Sequence, residues 1–174
     1  MPKPVNVRSR RAYFDCRYGQ LHVRTAFPTT GGFDEKITLF CLHAAGTSGR
    51  QFSAFLPLAA VQRSLYAPDL PGSGESDPAP ASGPVESAAA VADLATDLRL
   101  RQVDVLGFRE GAAVAIEFAS ARPDLVRRLV LIGGASSSRL PAQATVIDAA
   151  DYPDEPFINA PQAMVDLLDS VLYR

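Results

Sequence analysis

The chain has 174 residues, enough for one domain around one hydrophobic core. Apolar residues make up 47% and charged residues 21%, with a formal net charge of −2, the ordinary balance of a globular protein with no basic surface for nucleic acid. No apolar run approaches the roughly 20 residues that span a bilayer, and none follows the N-terminal charges as in a secretory leader. The expectations are no nucleic-acid partner, no membrane and a cytoplasmic location.

Lys3, Arg8, Arg10 and Arg11 read as a solvated basic tail over residues 1–11. Tyr13 to Tyr18 reads as a strand and Gly19-Gln20 as a tight turn. Leu21, Val23 and Ala26 form the return strand of a hairpin. Pro28 to Asp34 is a turn-rich loop. Ile37 to Leu42 is a short apolar run, as in a strand covered on both faces. Cys16 and Cys41 fall in predicted strands far apart in sequence, and read as buried small hydrophobes in a reducing compartment.

Phe52, Phe55, Leu56 and Ala59 recur at helical spacing, and Ser64 to Ala67 returns to strand. Pro78 to Pro84 is an exposed loop. Ser87 to Leu98 is a helix with Val91, Leu94 and Leu98 on one stripe. Val103 to Leu106 is a strand, Ala112 to Ala121 a helix and Leu129 to Ile132 a strand stopped by Gly133-Gly134. Residues 135–157 read as irregular. Asn159 and Pro161 open an amphipathic helix carrying Met164, Leu167, Leu168, Val171 and Leu172 on one face. The core spans residues 12–134, with an irregular segment and this helix over 135–174. Alternating strands and helices predict an α/β fold with a mostly parallel, doubly wound sheet.

Three segments carry the chemistry. The first is Leu39-Phe40-Cys41-Leu42-His43-Ala44-Ala45-Gly46. The second is Ala67-Pro68-Asp69-Leu70-Pro71-Gly72-Ser73-Gly74-Glu75-Ser76-Asp77. The third is Val103-Asp104-Val105-Leu106-Gly107-Phe108-Arg109-Glu110-Gly111-Ala112. Turns beyond the carboxyl edge of a parallel sheet are where such folds bind ligands. In order and spacing the three resemble the α/β-hydrolase superfamily: its His-Gly turn, its D-x-P-G-x-G-x-S loop and its nucleophile elbow. The likeness covers roughly residues 12 to 134. It implies a sheet of about six strands in the order 1-2-4-3-5-6, with the sixth strand at the edge.

One departure dominates. The elbow's G-x-S-x-G reads Gly107-Phe108-Arg109-Glu110-Gly111. A guanidinium stays protonated and offers no lone pair for attack, so Arg109 cannot replace the serine. The family's acid and histidine follow the nucleophile in the chain. Here both histidines, His22 and His43, precede residue 109, and Gly133 to Ser138 supplies no carboxylate. His43 resembles a structural residue of the oxyanion turn, and His22 is expected far from the site. Losing a triad serine or histidine costs on the order of 10⁶ in turnover.

The resemblance leaves an oxyanion hole made by the backbone N–H groups of Ala45 and Glu110. The expected binding set is His43, Ala45, Arg109 and Glu110, with both amides free and Arg109 adding a forked cation for a small carboxylate or acyl ligand. The plainer expectation is that Arg109 turns to solvent or pairs with Glu110. No catalytic residue is intact, and the function expected is a non-catalytic ligand- or partner-binding module. The alternative is a weak or unconventional ester hydrolase using Ser48, Ser73 or Ser76. No metal is expected, since two histidines and two scattered cysteines lack ligand spacing. No cofactor is expected either, because Gly72-Ser73-Gly74 does not open a helix as G-x-G-x-x-G. A homodimer is expected through the sixth-strand edge or the C-terminal helix.

Overall fold

The computed structural model describes residues 7–29, 36–134 and 140–173. Strands β1 (Val7–Cys16) and β2 (Gly19–Pro28) form a ten-pair antiparallel hairpin. Its turn is Arg17-Tyr18, two residues earlier than the sequence suggests. The strand also starts earlier, so Arg8, Arg10 and Arg11 belong to β1 rather than to a tail. Their side chains alternate across an exposed edge strand, a pattern that polar spacing alone does not distinguish from coil. Lys3 lies outside the described residues.

Strand β3 (Leu39–Leu42) follows, then a 3₁₀ turn (Gly49–Phe52), helix α1 (Leu56–Ala59) and β4 (Leu65–Pro68). Helix α2 (Pro84–Asp97) starts with its proline in the first turn, where a missing N–H costs nothing. Strand β5 (Val103–Phe108), helix α3 (Glu110–Ala121) and β6 (Val126–Ile132) complete the expected pattern. The order is β1-β2-β4-β3-β5-β6-β7. β2 runs antiparallel to β4, and the pairs from β4 onward are parallel. The predicted α/β class and the order of the first six strands stand.

The seventh strand is a correction. Ala144–Ile147 forms β7 and pairs with Leu129 to Ile132, so β6 is not the edge. The segment expected to be irregular also holds a 3₁₀ turn (Ala149–Asp151) and helix α4 (Pro156–Asn159). Helix α5 (Pro161–Leu172) forms as predicted, but its N-cap is Ala160; Asn159 instead donates to the Asp154 carbonyl.

Side chains alternate across the sheet with period 2. Val105, Leu129 and Leu131 pack under α2 and α3 on one face. Leu106, Phe108, Val130 and Ile132 face the other way, under Met164, Leu168 and Leu172 of α5. There the Phe157 ring meets Phe52, Phe55 and Phe108 edge-on at 4.8, 5.3 and 5.4 Å. The apolar stripe of α5 is therefore consumed within the chain. The edge that β6 was expected to present is taken by β7, and Met164, Leu168 and Leu172 of α5 are buried within the chain. Cys41 lies in this core, and burial pushes its thiol far up, which keeps it protonated.

The far end of α5 is tied to the opposite rim. Asp169 pairs with Arg63 and, at 2.9 Å, with Lys36. Arg127 reaches the Leu172 carbonyl while gripping fully buried Asp104 at 2.9 and 2.6 Å. Lys36, Arg63 and Arg127 all stack near the Tyr173 ring, about 5 Å from its centre.

Candidate functional site

The site forms where β3, β4 and β5 end. Arg109 links β5 to α3 at φ 50° and ψ −118°, a conformation that L side chains rarely adopt. Neighbouring glycines make the bend possible. A Cβ on Gly107 would lie 2.6 Å from the Ala112 Cα, and one on Gly111 only 2.2 Å from the Leu42 carbonyl oxygen. Opposite, a Cβ on Gly134 would lie 2.5 Å from the Arg109 oxygen. The Arg109 N–H donates to the Ile132 carbonyl at 2.9 Å. The sharp turn thus persists without a serine.

His43, Ala45, Arg109 and Glu110 line one open cavity of about 620 Å³, with Leu70 and Ser73 on its far wall. The amides of Ala45 and Glu110 do converge, but they are not free. The Glu110 carboxylate folds back and accepts from the Ala45 N–H at 3.1 Å and from its own N–H. These two amides, its own first, hold the carboxyl below the usual glutamate range, and the Arg109 charge adds a smaller pull. The sequence expectation of two vacant donors is corrected accordingly. The residue bearing one amide also carries the anion that fills the pair.

Arg109 does not pair with Glu110. Its guanidinium sits 5.0 Å from the Phe108 ring centre and 3.8 and 3.9 Å from the carboxylates of Asp154 and Glu155. Glu155 holds the left-handed N-cap of α4, at φ 52°. It also accepts from Gln51 Nε2 at 2.8 Å, while Gln51 Oε1 accepts from the Ala44 N–H at 3.0 Å. Buried Gln51 therefore couples the turn after β3 to α4. Nothing in local spacing marks Gln51, Asp154 or Glu155, because the partners lie far away in sequence.

Both ring nitrogens of His43 are occupied. Nε2 accepts from the Leu70 N–H at 2.9 Å, so the proton resides on Nδ1 and is donated to the Ala44 carbonyl at 2.8 Å. Burial further lowers its pKa. The ring braces two loops and has no lone pair to spare for a proton. His22 does not line this cavity. Its Nδ1 meets buried Asp69 at 2.9 Å, and Asp69 also accepts from Gly49 and Glu75 amides at 2.8 and 2.9 Å. This contact pins the glycine-rich loop from beneath the cavity.

The three alternative serines are engaged or unassisted. Ser76 Oγ donates to the Asp69 carbonyl at 2.6 Å and accepts from the His22 N–H at 2.9 Å. Ser48 caps the 3₁₀ turn by accepting from the Arg50 N–H. Ser73 faces the cavity. The second expected acid position, residues 135–138, lies outside the described residues. Among the described residues, no cluster of His, Cys, Asp and Glu could hold a metal, and no helix is long and apolar enough to cross a membrane.

This sheet order, elbow and pair of converging amides define the α/β-hydrolase class. Residues 37–166 match the family described as alpha/beta hydrolase fold, and the chain belongs to that family. It is 33% identical over 141 residues to 2-hydroxy-6-oxononadienedioate/2-hydroxy-6-oxononatrienedioate hydrolase 2 of Pseudomonas putida, covering 79% of this chain and 49% of that protein. It is 34% identical over 108 residues to a 2-hydroxymuconate semialdehyde hydrolase of Pseudomonas sp. strain CF600, covering 58% and 37%. The chain thus spans half or less of these relatives. Among solved structures, the epoxide hydrolase CorEH superposes with a TM-score of 0.61 at 26% identity, covering 79% of this chain and 47% of that one. A putative hydrolase of Bacillus subtilis gives 0.65 at 23% identity, with the same coverage, a likeness of fold alone.

Proposed function

We propose that this chain is a non-catalytic α/β-hydrolase-like domain that holds a small carboxylate or acyl ligand at the elbow. The observation that carries this reading is the Glu110 carboxylate seated on the Ala45 and Glu110 amides beside an arginine in the nucleophile position. A cleft that already satisfies one carboxylate is chemically suited to another. One of its donors, the Glu110 N–H, stands at the amino end of α3, where negative charge is favoured. The Pseudomonas relatives are hydrolases of a nonadienedioate and of a muconate semialdehyde, both carboxylate compounds, which agrees with a carboxylate as ligand. An incoming carboxylate displaces Glu110 and draws Arg109 away from Asp154 and Glu155.

Calorimetry with a panel of small carboxylates tests this on native protein, Glu110→Gln and Arg109→Ala. Removing the internal anion should tighten binding roughly tenfold, since a charge-assisted hydrogen bond contributes about 1.5–3 kcal/mol. Removing the cation should weaken it. No saturable binding by any of the three proteins rejects the proposal. Stoichiometric fluorophosphonate labelling of the native chain would instead favour the unconventional serine hydrolase.

A further inference from the structure

On the α1 side of the β1–β2 hairpin, away from the elbow, Arg11 stands directly opposite Arg24 in register. Like charges placed across a strand pair repel, and a sheet tolerates this only at some cost. Neither arginine has an ion pair among the described residues. The acid that feels Arg11, Glu75, spends its hydrogen bond on the Tyr13 hydroxyl at 2.7 Å. The Nε of Arg24 is buried and has no acceptor among the described residues. A buried donor on a charged group is costly to leave unpaired. Both side chains border a concavity of about 270 Å³ that also takes in Ser9, Ser53 and, as its apolar floor, Leu56.

We infer that this concavity is a second ligand site, one that binds the phosphoryl group of a small phosphorylated molecule. Arg11, Arg24, Ser9 and Ser53 line it from three separate segments: β1, β2 and the stretch leading into α1. A carboxylate has two oxygens for this donor set. A phosphomonoester has three terminal oxygens and carries close to two negative charges near pH 7, which offsets the repulsion between Arg11 and Arg24. Ser9 and Ser53 supply neutral donors to the remaining oxygen. The volume accommodates a phosphate with a small appended group rather than a nucleotide.

Titration calorimetry with inorganic phosphate, phenyl phosphate and acetate in a phosphate-free buffer tests the assignment. The native chain should bind both phosphates saturably, with dissociation constants of about 1 mM or below, and acetate at least tenfold more weakly. Arg24→Gln and Arg11→Gln should each weaken phosphate binding about tenfold or more. The weakening by Arg11→Gln and Arg24→Gln should be the same in an Arg109→Ala background, which separates this site from the elbow. Circular dichroism and melting in the same buffer confirm that the variants fold; Arg11→Gln, which removes an exposed like charge, should melt no lower than native. Absence of saturable phosphate binding overturns the inference. So does binding that survives both glutamine variants, or acetate binding as tight as phosphate that the same two variants weaken.

Discussion

Restoring a serine at position 109 should not restore an enzyme. Arg109→Ser would recreate the G-x-S-x-G spelling on an intact bend, yet His43 already donates through Nδ1 and accepts through Nε2. His22 is buried, tied to Asp69 through Nδ1, and does not line the elbow cavity. With no imidazole to take the proton, p-nitrophenyl ester turnover by Arg109→Ser should stay within tenfold of the Arg109→Ala background, against the roughly 10⁶ of an intact triad. A second single-residue prediction concerns Asp104. Burial raises its carboxyl pKa, and the bidentate Arg127 partly opposes that. Arg127→Met leaves a buried carboxylate unpaired and should cost about 3 kcal/mol at neutral pH. The sign of its pH dependence follows from the raised pKa. The unfolded carboxyl releases its proton first as pH rises, so the penalty grows through that window and shrinks as Asp104 regains a proton in acid. Urea unfolding of both proteins from pH 4 to 7 measures the narrowing gap.

At the level of elements, the elbow depends on backbone proximity more than on its central side chain. Gly111→Ala drives a Cβ against the Leu42 carbonyl, where neither backbone can yield, so it should destabilise by about 3 kcal/mol or prevent folding. A thermal melt beside that of Arg109→Ala, which leaves the bend unobstructed, makes the comparison. These glycines were legible in the sequence because a motif fixes their spacing. So were β3, β5 and β6, as short apolar runs, and α2 and α5, whose apolar residues recur at helical spacing. Strand β7 was not. It has four residues, none fully buried, and only its pairing with β6 makes it a strand. The two free amides foreseen from the motif are not both free, since the Ala45 N–H is taken by Glu110. Spacing located both amides, but a side chain folding back on its own backbone leaves no trace in spacing. The pairing of Gln51 with Glu155 spans 104 positions and was equally invisible.

The whole molecule manages both edges of its sheet. β1 carries Arg8, Arg10 and Arg11 along its outer side, and charged side chains discourage strand addition. β7 offers only four residues. Helix α5 spends its apolar stripe on the sheet and its polar end on Lys36 and Arg63, far away in sequence. Light scattering at micromolar concentration should therefore return the mass of one chain, 18.6 kDa. A dimer mass would mean that a surface other than these is self-complementary.

In the function proposed for the elbow, Glu110 also sets a selectivity threshold. A tethered group competes at an effective concentration that a free solute must match, commonly in the millimolar range or above. Abundant metabolic acids that meet the amides with a single carboxylate are thus outcompeted by the chain itself. Only a molecule that reaches further into the cavity, or engages Arg109 as well, gains enough to evict the resident anion. The internal glutamate turns a generic oxyanion cradle into a discriminating one.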